Sequence, residues 1–152
     1  MSRRVLFAVF LSGVTVACGP PVTPVFPADY SATYAEVRPC TQSADHALNF
    51  VKVLADPVAR PTYEKRRDTG AKDAYPVGSA LLKEEHPSAA CDDLVKWTVM
   101  KKAPAGTADD ALGWVWQEVD AQRNVSTKPV TSCIGCHRSC PESHEGSCAL
   151  PP

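Results

Sequence analysis

Five consecutive residues, Cys133-Ile134-Gly135-Cys136-His137, hold the most specific chemistry in this 152-residue chain. Two thiols at this spacing can each add across a vinyl group of haem, and the histidine that follows can ligate the iron. Cys-x-x-Cys-His therefore predicts one covalent c-type haem per chain, with His137 as an axial ligand. Zinc sites and disulfides draw on the same residue types. A structural zinc site would recruit Cys140 or Cys148 as well, and plain disulfides would pair the cysteines among themselves. Export of the chain favours haem over both, because c-type haem is attached outside the cytoplasm.

The start of the sequence predicts such export. Arg3 and Arg4 precede an apolar run over residues 5–16, too short to cross a bilayer as a mature helix. Residues 1–17 thus read as a signal peptide. Thr15-Val16-Ala17-Cys18 puts a small residue before a cysteine, similar to a bacterial lipobox, which would make Cys18 the lipidated first residue of a membrane-anchored periplasmic lipoprotein. Ordinary cleavage after Ala17 is the alternative. Residues 19–29 are proline-rich and aperiodic, so 18–29 read as anchor and tether. Residues 30–152 remain for the folded domain. Without Arg3 and Arg4, 14 basic residues face 17 acidic ones, a formal net charge of −3 with no basic stripe for nucleic acid.

The elements that must position the motif are mostly strands. Residues 79–85, 95–102 and 113–119 are bounded by turn formers and read as strands, the last two rich in β-branched or aromatic side chains, and 48–55 forms a shorter strand stopped by Asp56-Pro57. Residues 30–37 open the domain as a helical segment. A second helix over 58–68 tolerates Pro61 only in its first turn and ends at Gly70. Period-2 alternation puts Val95, Trp97, Val99 and Lys101 on one strand face, and Trp114 and Trp116 on one face of the next. The three tryptophans could line a pocket or simply pack a core. Both methionines, Met1 and Met100, precede the haem motif, so neither follows it as a second axial ligand in the usual order. Fourteen prolines and three period-2 segments argue against a four-helix bundle. The expected class is α+β, mainly β: an antiparallel sheet with flanking helices and a C-terminal haem-attachment segment.

Tyr75-Pro76-Val77-Gly78-Ser79-Ala80-Leu81-Leu82-Lys83-Glu84 resembles the aromatic-Pro-x-Gly-(four residues)-Lys-Glu strand of the cytochrome P-460 family. Residues 53–57, 98–102 and 113–116 and the final haem motif follow in the same order. The resemblance extends over residues 48–137 and includes the family's non-cross-linked relatives, the β-sheet cytochromes c-prime. It implies haem between the sheet and a C-terminal helix, a periplasmic location and, in one group, oxidation of hydroxylamine by a haem cross-linked to a lysine. The matching lysine is Lys83. Strand alternation puts Leu81, Lys83 and Glu85 on one face, and Leu82 and Glu84 on the other, so Lys83 can face haem; a solvated lysine at a sheet edge is the bland alternative. An ungapped match brings the family's distal arginine to Val51 and its distal carboxylate to Trp97, neither of which can play that part. Proton removal from hydroxylamine needs a base within reach, and this reading supplies none. An apolar distal side would instead suit nitric oxide.

Seven cysteines, less Cys18, Cys133 and Cys136, leave Cys40, Cys91, Cys140 and Cys148, which allow three pairings. Cys40–Cys91 with Cys140–Cys148 is preferred, because the latter two flank a short loop after the haem helix. His46, His86 and His144 fall in expected loops, as surface groups or a sixth ligand. The sequence thus points to a redox protein acting on hydroxylamine or related nitrogen oxides, with a redox partner protein and a possible homodimer. Its alternative is a non-catalytic haem protein for gas binding or electron transfer.

Overall fold

A computed structural model describes residues 22–141 and 144–148. Five strands form one antiparallel meander: β1 (Ala35–Gln42), β2 (Phe50–Ala55), β3 (Ala80–His86), β4 (Lys96–Lys102) and β5 (Trp114–Asp120), paired in that order. A single turn of helix, α1 (Tyr30–Thr33), precedes β1; α2 (Arg60–Thr69) links β2 to β3; α3 (Thr131–His137) follows β5. The class is the α+β, mainly β architecture that the sequence predicts.

The helix expected over residues 30–37 lasts one turn and gives way to β1, which the sequence reading missed. Pro39 interrupts β1, and its ladder with β2 shifts register on either side of Arg38. Proline lacks the N–H a ladder needs and is tolerated where a strand has a neighbour on one side only. The helix α2 behaves as expected: Pro61 lies in its first turn, and Gly70 closes it at φ 67° with its N–H on the Arg66 carbonyl. Asp56 ties this helix to the sheet, since its Oδ1 accepts from Ala59 N at 2.7 Å and Ala80 N at 3.1 Å.

The ladders from β2 to β5 run without a register shift, so cross-strand rows assign each residue a face. Val53, Lys83, Thr98 and Glu118 form one row, flanked on the same face by Ala55, Leu81, Met100 and Trp116 and by Val51, Glu85 and Lys96. The opposite face carries Leu54, Leu82 and Val99, with Lys52, Glu84, Trp97 and Val119 in the next row. Each face has its own core. Tyr63, Tyr75 and Trp114 seal the first; Phe26, Trp97 and Val119 seal the second. Part of the proline-rich segment belongs to this second core: Phe26 is buried, and Val25 N donates to Gln117 Oε1 at 2.8 Å.

Candidate functional site

On α3 the residues at i, i+3 and i+4 share one face, so Cys133, Cys136 and His137 turn together toward the first face of the sheet. All three line a cavity of about 350 Å³ between helix and sheet. His137 is fixed from two sides. Its ring meets Trp116 edge-on, centroids 4.7 Å apart, and its Nδ1–H donates to the Gly146 carbonyl. Because a carbonyl can only accept, the proton sits on Nδ1 and Nε2 is the nitrogen with a lone pair. Burial lowers the His137 pKa below its ordinary 6.5, against the opposing pull of the Gly146 bond, and so favours the neutral ring. A neutral imidazole whose Nδ1–H is engaged is the form a metal ligand takes.

The donor set fits haem. Cys133 and Cys136 are the free thiols among the described residues. The cavity wall across from them includes Val53, Leu81, Met100 and Trp116, an apolar bed for a macrocycle. Zinc fits less well. One ligand atom from each of His137, Cys140 and Cys148 lies within 4.8 Å of the others. Cys140 and Cys148, however, are bonded to each other and offer no thiolate. The second disulfide joins Cys40 to Cys91 and fastens β1 to the loop after β3.

The polar part of the sheet wall is a chain of three side chains. Lys83 Nζ lies 2.8 Å from His46 Nε2, and His46 Nδ1 lies 2.9 Å from Glu85 Oε1. Asn49 Nδ2 donates to Glu85 Oε2 at 3.3 Å, and Lys96 Nζ stands 3.8 Å from the same oxygen. Glu85 is completely buried. Burial pushes its pKa up, but the hydrogen bonds to His46 and Asn49 and the nearby charge of Lys96 together hold it below the ordinary 4.5. It is therefore a carboxylate. Burial also draws the Lys83 pKa below 10.5, with Glu85 pulling the other way. The arrangement repeats the logic of a nucleophile, a base and a group that orients the base.

The structure brings most of the sequence-predicted site together. Cys133, Cys136, His137 and Lys83 line one cavity, with Glu84 turned to the other face. Cys18 and the signal peptide lie outside the described residues. Two readings need correction. Trp97 does not line the pocket with Trp116: its register with Glu84 and Val119 puts it on the opposite face. His86 is no loop residue but the buried end of β3, its Nδ1 on the Asp93 carbonyl at 2.9 Å. The cavity residues missed from sequence are Glu85 and His46, hydrogen-bonded to each other. The alternation of β3 already places Glu85 beside Lys83; His46, in the β1–β2 loop, carries no sequence signal for its place.

The Cytochrome P460 family model matches residues 27–144, most of the chain and all of the described sheet from β1 to β5. No curated protein matches the chain.

Proposed function

The chain belongs to the cytochrome P460 family, whose members are haem proteins, and on that premise we propose an exported c-type haem protein that performs redox chemistry on small nitrogen oxides such as hydroxylamine or nitric oxide. The observation that carries the reading is the Lys83–His46–Glu85 chain, set on the wall of the cavity that Cys133, Cys136 and His137 also line. In this reading Cys133 and Cys136 hold the haem by thioether bonds and His137 Nε2 holds the iron. The haem supplies an iron coordination site and a sink for electrons.

The chain's own residues handle the protons. Hydroxylamine loses protons as it loses electrons, so oxidation needs an acceptor at the site. As an ammonium, Lys83 donates to His46 Nε2 and occupies that nitrogen. Were Lys83 to hold the haem edge, its nitrogen would no longer carry the ammonium charge, and His46 Nε2 would be free to take a proton from substrate. Glu85 accepts from His46 Nδ1–H throughout, which keeps the ring in one tautomer and stabilises the imidazolium when it forms. Lys96 and Glu118, paired at 2.7 Å beside the cavity, offer a polar exit to solvent.

One observation favours the second reading, a non-catalytic haem protein for gas binding or electron transfer. Val53, Leu81, Met100 and Trp116 make much of the wall apolar, which suits an uncharged gas. The test is intact mass, acidic-acetone extraction and hydroxylamine-dependent reduction of an artificial electron acceptor, all on holoprotein from a strain that matures c-type cytochromes. Haem that stays on the polypeptide, together with turnover, is the expected result. Haem lost to the solvent overturns the c-type reading; retained haem without turnover moves the function to the second reading.

A further inference from the structure

After α3, residues 144–148 return to the site, and Gly146 supplies the carbonyl that receives His137 Nδ1–H. What holds this loop is Glu145. Its Oε2 accepts from Tyr75 N at 2.8 Å and from Arg66 Nη2 at 3.2 Å; its Oε1 accepts from Lys102 Nζ; its carbonyl accepts from Trp114 Nε1 at 3.0 Å. These donors come from α2, the α2–β3 connection, β4 and β5. Glu145 itself sits at φ 48°, a left-handed conformation that a non-glycine residue keeps only when its surroundings enforce it. Gly146 follows at φ 77°, and Ser147 is buried, 3.5 Å from the Tyr75 hydroxyl. The Cys140–Cys148 disulfide closes the loop from outside.

We propose that Glu145 is a positioning residue for the axial histidine: by pinning the loop to α2, the α2–β3 connection, β4 and β5, it fixes the Gly146 carbonyl, and through it the tautomer, orientation and basicity of His137. This deepens the haem reading and rests on His137 as iron ligand. Glu145 touches neither substrate nor the reacting atoms; it acts one residue away, through the backbone. A hydrogen-bonded acceptor on the far nitrogen of an axial histidine raises its donor strength, and losing such an outer partner typically costs about 10–100-fold in metal affinity or activity. A stronger donor stabilises the oxidised iron and lowers the reduction potential.

The test uses holoprotein of wild type, Glu145→Ala, Glu145→Gln and Lys102→Met, read by the iron–histidine stretching band of the ferrous protein and by the reduction potential. Expected in Glu145→Ala are a downward shift of the band and an upward shift of the potential. Glu145→Gln, which keeps an acceptor for Tyr75 N, shifts both in the same direction by less. A change that only loosened the fold would lower thermal stability without moving either signal. Band and potential equal to wild type in both Glu145 variants overturn the proposal. If Glu145→Ala yields no holoprotein, Glu145→Gln and Lys102→Met decide alone, with unchanged signals in both as the overturning result. Five-coordinate ferrous wild type that keeps its haem through acidic-acetone extraction but shows no band removes His137 as ligand and overturns the proposal, whereas haem lost on extraction removes the haem reading itself; both are distinct from a band that is present and does not move.

Discussion

Replacing Glu85→Gln tests the proton-accepting dyad, because it keeps the shape of the side chain and removes its charge. Glu85 is fully buried and accepts two hydrogen bonds, from His46 Nδ1 at 2.9 Å and Asn49 Nδ2 at 3.3 Å. A hydrogen bond to a charged group contributes about 1.5–3 kcal/mol. The glutamine amide can keep one of the two bonds and turns an NH₂ toward the other donor. The expected loss of stability is therefore about 2–3 kcal/mol, or about 6–12 °C in melting temperature for a domain of this size. The pH dependence carries the sign. Glu85 has a lowered folded-state pKa, so its stabilisation is present above 4.5 and is lost as the pH falls through the folded value. The difference between wild type and variant should shrink below that range. For catalysis, Glu85 orients the base and stabilises its protonated form; losing such a carboxylate costs up to about 10⁴-fold in kcat, and the acid limb of kcat/KM, which reports the coupled dyad, should move to lower pH. The assays are thermal melts across pH and kcat/KM for hydroxylamine at equal haem content. A variant within about 2-fold of wild-type activity whose acid limb does not move refutes the dyad as base.

Lys83→Leu should leave haem attached at Cys133 and Cys136 alone, give an ordinary c-type spectrum and abolish hydroxylamine oxidation. Peptide mass analysis of the wild type should find Lys83 travelling with haem, and a free Lys83 with an ordinary spectrum would instead support gas binding or electron transfer. Cys18→Ser should move the protein from the membrane fraction to the soluble periplasmic fraction, since a residue bearing several acyl chains anchors firmly; unchanged fractionation would count against lipidation.

The sheet is legible in the sequence where its strands obey one simple rule. β4 and β5 carry β-branched and aromatic residues between turn formers, whereas β3, Ala-Leu-Leu-Lys-Glu-Glu-His, consists largely of good helix formers and is legible as a strand only from the turn formers around it and its resemblance to the family strand. β1 is not legible, because Pro39, Arg38 and Glu36 break every signal a strand gives. It is held instead by one neighbour and by the Cys40–Cys91 bond. Alternation also says which residues share a face, but not which face is which. That is why Trp97, correctly grouped with Val95 and Val99, was grouped wrongly with Trp114 and Trp116: only the pairing of Trp97 with Val119 and of Met100 with Trp116 separates them. The site is legible where it is local, in Cys133, Cys136, His137 and the Lys83 strand. His46 reaches it through a loop in which Ala47 and Leu48 both take left-handed backbone conformations, at φ 53° and 62°. Neither residue type announces such a turn.

Register is the feature on which the site depends most. In Lys83-Glu84-Glu85 the sequence places three charged residues in succession inside a sheet buried on both faces, and each must find a separate solution. Lys83 and Glu85 turn to the cavity and are joined through His46. Glu84 turns to the other face, where the Tyr30 hydroxyl donates to it at 2.5 Å and Lys52 approaches to 3.4 Å; Tyr30 in turn accepts from Trp97 Nε1 at 3.1 Å. A slip of one residue would exchange the two sets. It would take Lys83 and Glu85 away from His46 and onto the face of Phe26 and Trp97, and breaking up a buried charged pair costs about 3–5 kcal/mol. The irregular pairing of the sheet is confined to β1, away from this segment, while β2 to β5 stay in strict register. The N-terminal segment with Phe26 and Tyr30 therefore does more than cover an apolar face. By giving Glu84 the Tyr30 hydroxyl as a partner on the face away from the cavity, it helps fix Lys83 and Glu85 on the side where α3 presents Cys133, Cys136 and His137.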